Sequence, residues 1–171
     1  KVIIWNLNQE KVTETLLEFK SLGTIDGTVI DITNLTEVKK AATKIKENQV
    51  VVDILINNAG IVVGNYFHEN TNEEISRTMA INANAPMHIT LEFLEGMLAQ
   101  NSGHICTIAS SAGLISNPKM AVYAASKWAA IGWSDSLRLE MKQLKKNINV
   151  TTVTPYYINT GMFEGVKSVV P

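Results

Sequence analysis

Five short apolar runs alternate along the chain with segments in which apolar residues recur at helical spacing. Each run is rich in β-branched residues and apolar on both faces, which is typical of parallel strands that are covered on both sides. Helical spacing occurs in residues 12–19 and 35–45, where apolar positions form one stripe. The five runs are KVIIW (1–5), GTVIDI (27–32), VVVDILIN (50–57), GHICTIA (103–109) and INVTTVTP (148–155).

Two longer helices complete the pattern. TNEE at residues 71–74 is a capping box and predicts a helix that runs toward Gln100. A last helix carries Tyr123 and is predicted to run to Lys146. This alternation predicts an α/β fold with a doubly wound parallel sheet, whose ligands bind beyond the carboxyl ends of the strands. The segments at those ends, rich in polar residues and glycine, are 6–8, 31–32, 57–60, 109–113 and 155 onward.

The composition indicates a single domain with a hydrophobic core, because 46% of the 171 residues are hydrophobic and 18% are charged. A net charge of −1 gives no electrostatic reason to expect nucleic acid or an anionic membrane as partner. The single cysteine, Cys106, excludes an internal disulfide, and three scattered histidines predict no metal site. No apolar stretch reaches the ~20 residues that span a bilayer. We expect a cytoplasmic location, with membrane association through an unseen N-terminal segment as the alternative.

Tyr123 and Lys127 stand four residues apart in the last predicted helix, so they share one of its faces. A tyrosine hydroxyl has a pKa near ~10 and transfers protons poorly at neutral pH. A cation ~6 Å away favours the phenolate by roughly 2.8 kcal/mol at an effective dielectric constant of ~20. The pair therefore has the chemistry of a general acid/base, although such a pair also arises by chance in a lysine-rich chain.

Three motifs at predicted strand ends accompany the pair. NNAG at residues 57–60, IASSAG at 108–113 and YAASK at 123–127 have the order and spacing of the short-chain dehydrogenase/reductase superfamily. The chain resembles this superfamily over essentially its whole length, and is most similar to its retinol dehydrogenase and hydroxysteroid dehydrogenase branch. The resemblance implies a Rossmann-type fold and an NAD(P)-dependent oxidoreductase. Such an enzyme transfers hydride between nicotinamide and a carbonyl or secondary alcohol.

The resemblance implies four catalytic residues. Tyr123 would be the acid in carbonyl reduction and the base in alcohol oxidation, while Lys127 would lower its pKa and hold the nicotinamide ribose. Ser110 would hydrogen-bond the substrate oxygen, although from the residues alone it could equally satisfy a strand-end carbonyl. Asn82 would help to hold a proton-relay water. Pro86 has no backbone N–H to donate to the Asn82 carbonyl four residues earlier. The sequence therefore predicts either that this carbonyl binds the water or that the proline only kinks the helix.

The same resemblance assigns the cofactor site. Asp31 is similar to a residue that contacts adenine, and Gly60 would let the backbone approach the adenosine half. Asn6 stands where an aspartate commonly binds the 2′-hydroxyl of NAD, and its amide does not repel a 2′-phosphate. NAD is therefore only slightly preferred over NADP. The full implied set is Asn6, Asp31, Ile32, Asn58, Ala59, Gly60, Tyr123, Lys127, Pro155, Ile158 and Thr160.

TPYYINTGMFEG at residues 154–165 resembles the family segment that closes over cofactor and substrate, with Tyr156 in place of a glycine. Its aromatic residues would form an apolar wall for a lipophilic, retinoid- or steroid-like substrate, or would only pack the loop. The implied substrate residues are Ser110, Tyr123, Tyr156 and Met162. The small residues within 121–132 fit the helix pairing of a family homodimer or homotetramer, or packing on the sheet.

Two family elements have no counterpart in these residues. The family's first strand and its glycine-rich phosphate-binding turn precede the strand that matches KVIIW, and no such turn occurs in residues 1–171. A seventh strand is also missing. We interpret residues 1–171 as one dinucleotide-binding domain that is incomplete at both ends. A non-catalytic Rossmann-type binding or sensor protein, or an inactive fragment, is the alternative function.

We expect the 171-residue chain, produced on its own, to lack a cooperative unfolding transition. The missing first strand would lie at the centre of the sheet and leave two strand edges unpaired. Each unsatisfied buried backbone group costs roughly 1–3 kcal/mol, against a domain stability of about 5–15 kcal/mol. Thermal unfolding followed by circular dichroism measures this. A cooperative transition accompanied by cofactor binding would contradict the expectation.

Overall fold

The computed structural model describes residues 1–156 and 158, and the chain divides into two compact units, Lys1–Gln49 and Val50–Pro171. In each unit, parallel strands alternate with helices along the chain. The predicted α/β class with parallel strands is therefore confirmed. The interpretation of residues 1–171 as one incomplete domain stays a prediction.

The first unit contains a two-stranded parallel sheet and two helices. Asparagine side chains cap both helices, since Asn8 accepts the N–H of Lys11 and Asn34 accepts the N–H of Glu37. The apolar stripes read from the sequence are buried at Val12 in the first helix and at Val38 and Ala42 in the second. The elements are β1 (Val2–Asn6), α1 (Gln9–Phe19), β2 (Ile25–Val29) and α2 (Leu35–Glu47).

The second unit contains a three-stranded parallel sheet in the order β3–β4–β5. Two helices, α4 and α5, cover one face of this sheet, where Met97, Ile105 and Met141 are buried together. The elements are β3 (Ile54–Asn57), α3 (Asn72–Met79), α4 (Ala85–Gln100), β4 (Gly103–Ile108), α5 (Ala121–Gln143) and β5 (Ile148–Val153). Short 3₁₀ turns lie at Phe67–Glu69 and Ser111–Gly113.

The long helix predicted from the capping box is interrupted. The capping box itself is confirmed, because Thr71 Oγ1 accepts the N–H of Glu74 at 3.1 Å and Glu74 accepts that of Thr71 at 2.8 Å. A π-helical turn, Ala80–Asn84, then separates α3 from α4. Pro86 stands in the first turn of α4, where its missing N–H is tolerated. The proline thus marks a change of helical register.

Two strand boundaries and one burial prediction were wrong. The strand expected at residues 27–32 is Ile25–Val29, because the Asp31 carboxylate accepts the N–H and O–H of Thr33 and begins a turn. The strand expected from residue 50 begins at Ile54, after a bend at Asp53. Strands covered on both faces were also expected, yet Ile54 and Ile56 are 63% and 60% exposed. Helices α4 and α5 pack against the opposite face of β3 to β5.

Candidate active site

Polar side chains from several elements of the second unit meet at the carboxyl ends of its strands. The loop after β4 is joined to the loop after β5 by the N–H of Ser111, which donates to Pro155 O at 2.9 Å. An open cleft lies at this edge. Its lining combines hydroxyl, amide and apolar groups: Ser110, Ser111, Ala112, Asn117, Met120, Tyr123 and Tyr156.

The predicted tyrosine–lysine pair lies at the start of α5. Lys127 Nζ is 5.7 Å from the centroid of the Tyr123 ring, so the two side chains share one helix face as the spacing predicted. Tyr123 is 3% exposed and Lys127 is 4% exposed. The cation and the aromatic ring are therefore held together away from bulk water, where their electrostatic interaction is strengthened.

The Lys127 ammonium is anchored to the sheet. Nζ donates a hydrogen bond to Ile108 O, at the end of β4, over 2.9 Å. Burial lowers the pKa of Lys127 to about 8, because removal from water disfavours the charged form. At neutral pH the group remains mostly protonated. The site therefore keeps a cation beside Tyr123.

Ser110 follows β4 and caps the 3₁₀ turn Ser111–Gly113. Its Oγ accepts the N–H of Ala112 at 3.2 Å, and the residue is 7% exposed. The alternative in which this hydroxyl donates to a strand-end carbonyl stays a prediction, since this bond uses only the acceptor side of the oxygen. A hydroxyl that accepts here can still donate its own proton to a substrate oxygen in the cleft.

Asn82 lies within the π-helical turn and is 2% exposed. Its amide pairs with the backbone of Ile61, with the Ile61 N–H donating to Oδ1 and Nδ2 donating to Ile61 O, both at 2.8 Å. Nδ2 also donates to Ser126 Oγ at 3.0 Å. The side chain therefore joins the loop after β3 to α5. The water-binding role of its carbonyl stays a prediction.

Gly60 lies against two of these groups. A Cβ atom built on it would lie 3.4 Å from both Asn82 Oδ1 and Lys127 Nζ. A side chain at this position would therefore lie in contact with both the amide and the ammonium. The two groups have the chemistry to hold a nicotinamide ribose, whose hydroxyls can pair with an ammonium donor and an amide acceptor.

Gly113 brings the turn after β4 against the backbone of α5. A Cβ atom there would lie 2.9 Å from Lys127 C and O and 2.5 Å from Ile131 Cδ1. The glycine therefore sets how closely the Ser110 turn approaches the helix that carries Tyr123. Sequence reasoning missed this role, although a glycine in a strand-end turn is a signal for close backbone approach.

Two further residues that support the site were not predicted. Asn57, the last residue of β3, is buried and donates to Thr90 Oγ1 on α4 at 3.1 Å. Ser126, which lies between Tyr123 and Lys127 on α5, accepts from Asn82. Both bonds join elements that are distant in sequence. Local sequence patterns carry no signal for such partners.

The remaining predicted cofactor residues are distributed over both units. Asn58 and Ala59 are exposed immediately after β3, and Ile158 is 56% exposed beyond β5. Thr160 and Met162 lie outside the described residues, as do the aromatic residues expected at 157 and 163. The roles of these residues in binding stay predictions.

Asn6, Asp31 and Ile32 belong to the first unit, at or just after the carboxyl ends of β1 and β2. Asn6 Oδ1 accepts the N–H of Asn8 at 2.8 Å. The Asp31 carboxylate accepts from Thr33, and its backbone N–H donates to Glu37. These bonds order the strand-end turns, and the expected contacts with adenosine stay predictions.

A family model described as short chain dehydrogenase matches residues 1–169. The chain is 35% identical over 173 residues to short-chain dehydrogenase/reductase family 16C member 6 from Bos taurus, covering 99% of this chain and 55% of that protein. It is 43% identical over 140 residues to retinol dehydrogenase 10-A from Danio rerio, covering 81% of this chain and 41% of that protein. The chain belongs to the short-chain dehydrogenase family. It spans about half the length of these two relatives.

Solved structures have the same fold. A short-chain dehydrogenase/reductase from Burkholderia phymatum in complex with NAD aligns with a TM-score of 0.90 at 24% identity, covering 100% of this chain and 64% of that chain. A metagenomic short-chain oxidoreductase in complex with NADP aligns with a TM-score of 0.85 at 28% identity, covering 91% of this chain and 70% of that chain. The Rossmann-type fold expected from the sequence is thereby confirmed.

We predict that Gly113→Ala destabilises the protein by about 1–3 kcal/mol, since an added methyl meets helix backbone that cannot move cheaply. Gly132→Ala on the same helix is the control, because a Cβ there meets nothing within 4 Å. That control should stabilise α5 by roughly 0.5–1 kcal/mol. Urea unfolding of the protein that contains this chain measures both. Equal stability of the two variants would contradict the close approach.

We also predict a pH-dependent effect of Lys127→Met on stability. The pKa of Lys127 is about 8 in the folded state, against 10.5 as the ordinary value. Below the folded-state pKa both states are protonated, so the folded protein carries the full cost of burying the charge. Between the two values the folded state binds fewer protons, and wild-type stability rises with pH.

The methionine variant lacks this titration. The free energy of unfolding of the wild type, relative to that of the variant, should therefore rise by roughly 2 kcal/mol between about pH 7 and about pH 9.5. Urea unfolding of both proteins across this range measures the difference. The unpaired Ile108 carbonyl adds a cost to the variant that does not change with pH. If the difference in free energy of unfolding between the two proteins stayed constant with pH, it would contradict the conclusion that the Lys127 ammonium is buried.

Proposed function

We propose that the protein containing this chain is an NAD(P)-dependent oxidoreductase that transfers hydride between nicotinamide and a carbonyl or secondary alcohol. The observation that carries the proposal is the buried Lys127 ammonium, held 5.7 Å from the Tyr123 ring centroid beside an open cleft. A buried cation next to a phenol has a clear chemical use, because it stabilises the phenolate that proton transfer requires. Membership of the short-chain dehydrogenase family supports the same conclusion.

The side chains of the cleft divide the proton chemistry between them. In alcohol oxidation the Tyr123 phenolate accepts the substrate hydroxyl proton, and in carbonyl reduction the phenol donates it back. Ser110 donates a hydrogen bond to the substrate oxygen and stabilises the negative charge that develops there. Lys127 keeps the Tyr123 phenolate accessible near neutral pH. A bound nicotinamide supplies the hydride acceptor or donor.

The residues around Gly60 fit this cofactor. Lys127 Nζ and Asn82 Oδ1 both border the space that a Cβ at Gly60 would enter, and they would hold the nicotinamide ribose there. A slight preference for NAD over NADP is proposed, because the Asn6 amide only weakens the discrimination against a 2′-phosphate and no arginine stands near it in the sequence to bind one. The similar structures described above contain NAD in one case and NADP in the other.

A lipophilic substrate is the second part of the proposal. Apolar groups of Ala112, Met120 and Tyr156 line the cleft beside the reacting hydroxyls. Apolar walls with few polar groups are typical of sites for hydrophobic ligands. A relative named retinol dehydrogenase 10-A supports a retinoid- or steroid-like alcohol or ketone as the substrate class.

A homodimer or homotetramer and a cytoplasmic location complete the proposal. The side chains of Leu91 on α4 and Trp128 on α5 are 70% and 52% exposed, which favours helix pairing between copies. In residues 1–156 and 158, no helix combines the length and the apolarity needed to cross a membrane.

We predict that Tyr123→Phe lowers kcat for oxidation of a hydrophobic secondary alcohol by about 10²–10⁴-fold, because the proton acceptor is lost. The rise in NAD(P)H absorbance measures turnover, with NAD and NADP compared in parallel. Tyr66→Phe is the matched control, since Tyr66 is 46% exposed and does not line the cleft. It should keep wild-type turnover.

Two outcomes would contradict the proposal in different ways. A Tyr123→Phe variant that keeps more than about a hundredth of wild-type kcat would remove the general-acid/base assignment. A folded wild-type protein that binds NAD(P)H but oxidises no alcohol and reduces no ketone would favour the alternative, a non-catalytic binding or sensor protein. The change in NAD(P)H fluorescence on binding distinguishes such a binding protein from a protein that has no nucleotide site.

A further inference from the structure

Ser126 joins two parts of the candidate site through a single hydroxyl. The residue is 0% exposed and lies on α5 between Tyr123 and Lys127. Its Oγ donates to Tyr123 O at 2.7 Å and accepts from Asn82 Nδ2 at 3.0 Å. The first bond is a common local one for a helical serine. The second links the helix to a residue 44 positions earlier in the chain.

The two bonds define which group of Asn82 faces the helix. Because the Ser126 proton is used on the Tyr123 carbonyl, the Ser126 oxygen faces Asn82 as an acceptor. Only the NH₂ side of the amide can pair with it. Nδ2 then uses one hydrogen on Ser126 and the other on Ile61 O, while Oδ1 accepts the Ile61 N–H. The amide is held in one orientation from two directions.

This arrangement connects Ser126 to the reacting groups. Asn82 Oδ1 and Lys127 Nζ both lie against Gly60, so the position of Asn82 relative to α5 sets the separation of these two groups. The carbonyl bonded by Ser126 belongs to Tyr123 itself. A change in the Ser126 contacts therefore moves Asn82 relative to the turn that carries the tyrosine and the lysine.

We propose that Ser126 is a positioning residue, which locks the Asn82 amide to the Tyr123–Lys127 turn of α5 and thereby sets the geometry for proton transfer. The proposal rests on the dehydrogenase function proposed above. Ser126 touches neither substrate nor cofactor in this role. It acts through Asn82, and its bond to the Tyr123 carbonyl fixes the direction of its own hydroxyl proton.

The chain offers a matched control on the same helix. Ser134 is also 0% exposed on α5, but among the described residues its Oγ has no hydrogen-bond partner. Ser126→Ala and Ser134→Ala thus remove the same atom from equally buried sites, and only the first removes a link to Asn82. If the Ser126 hydroxyl only contributed to stability and did not position Asn82, the two variants would have the same kcat.

We expect Ser126→Ala to lower kcat by about tenfold or more, since small misplacements of reacting groups cost up to ~10²-fold. Ser134→Ala should keep kcat within about twofold of wild type, and the KM for alcohol should change little in both. Because Ser126 acts through Asn82, the double variant with Asn82→Ala should be no slower than Asn82→Ala alone. Unchanged kcat in Ser126→Ala, or multiplied effects in the double variant, would overturn the proposal.

An isosteric pair tests the hydroxyl if the alanine variant folds poorly. Ser126→Thr keeps the hydroxyl and Ser126→Val replaces it with a methyl of similar size, so both disturb packing alike. The threonine variant should turn over about tenfold faster than the valine variant if the hydroxyl positions Asn82. Equal turnover of the pair would overturn the proposal.

A readout without turnover separates this proposal from the proposed function. The side-chain amide protons of Asn82, observed by NMR, report the bond to Ser126 directly. One of them should shift in Ser126→Ala and neither should shift in Ser134→Ala. Shifts as expected in a protein without dehydrogenase activity would refute the function while supporting the link, and an active protein without shifts would refute the link.

Discussion

A buried ammonium group is the constraint around which the site is organised. Lys127 Nζ is removed from water, bonded to the Ile108 carbonyl and held near the Tyr123 ring. Burying a charge is unfavourable unless neighbouring groups compensate for its lost hydration. The end of β4 supplies the carbonyl. The helix supplies the aromatic ring, and Gly60 lies against the cation without placing a side chain on it.

Two short-range contacts keep that arrangement in place. Gly113 allows the turn after β4 to touch the backbone of α5, and Asn82 ties the loop after β3 to the same helix through Ser126. Both contacts require a specific residue, since a methyl on Gly113 would collide and a side chain without an amide could not pair with Ile61. The helix is therefore located by the ends of β3 and β4 together.

The sequence predicts interactions within one element better than interactions between elements. Tyr123 and Lys127 were found because helical spacing places them on one face. Ser126 and Gly113 were missed because their partners lie on other elements, and nothing local specifies such pairing. The end of β2 was misplaced because the Asp31 turn competes with an otherwise strand-like apolar run. The π-helical turn was not predicted, because its hydrogen-bond register depends on packing, and Pro86 indicated only a freed Asn82 carbonyl or a kink.

The division of the chain into two units has a consequence for how such a protein can evolve. The side chains proposed to handle protons lie within Val50–Pro171, whereas Asn6 and Asp31, proposed to contact adenosine, lie within Lys1–Gln49. If these proposed roles hold, the choice between NAD and NADP and the proton chemistry are encoded in separate stretches of the gene. A recombination event near the codon for residue 50 would exchange nucleotide preference between relatives. The recombinant protein would keep the proton-transfer residues of one parent unchanged.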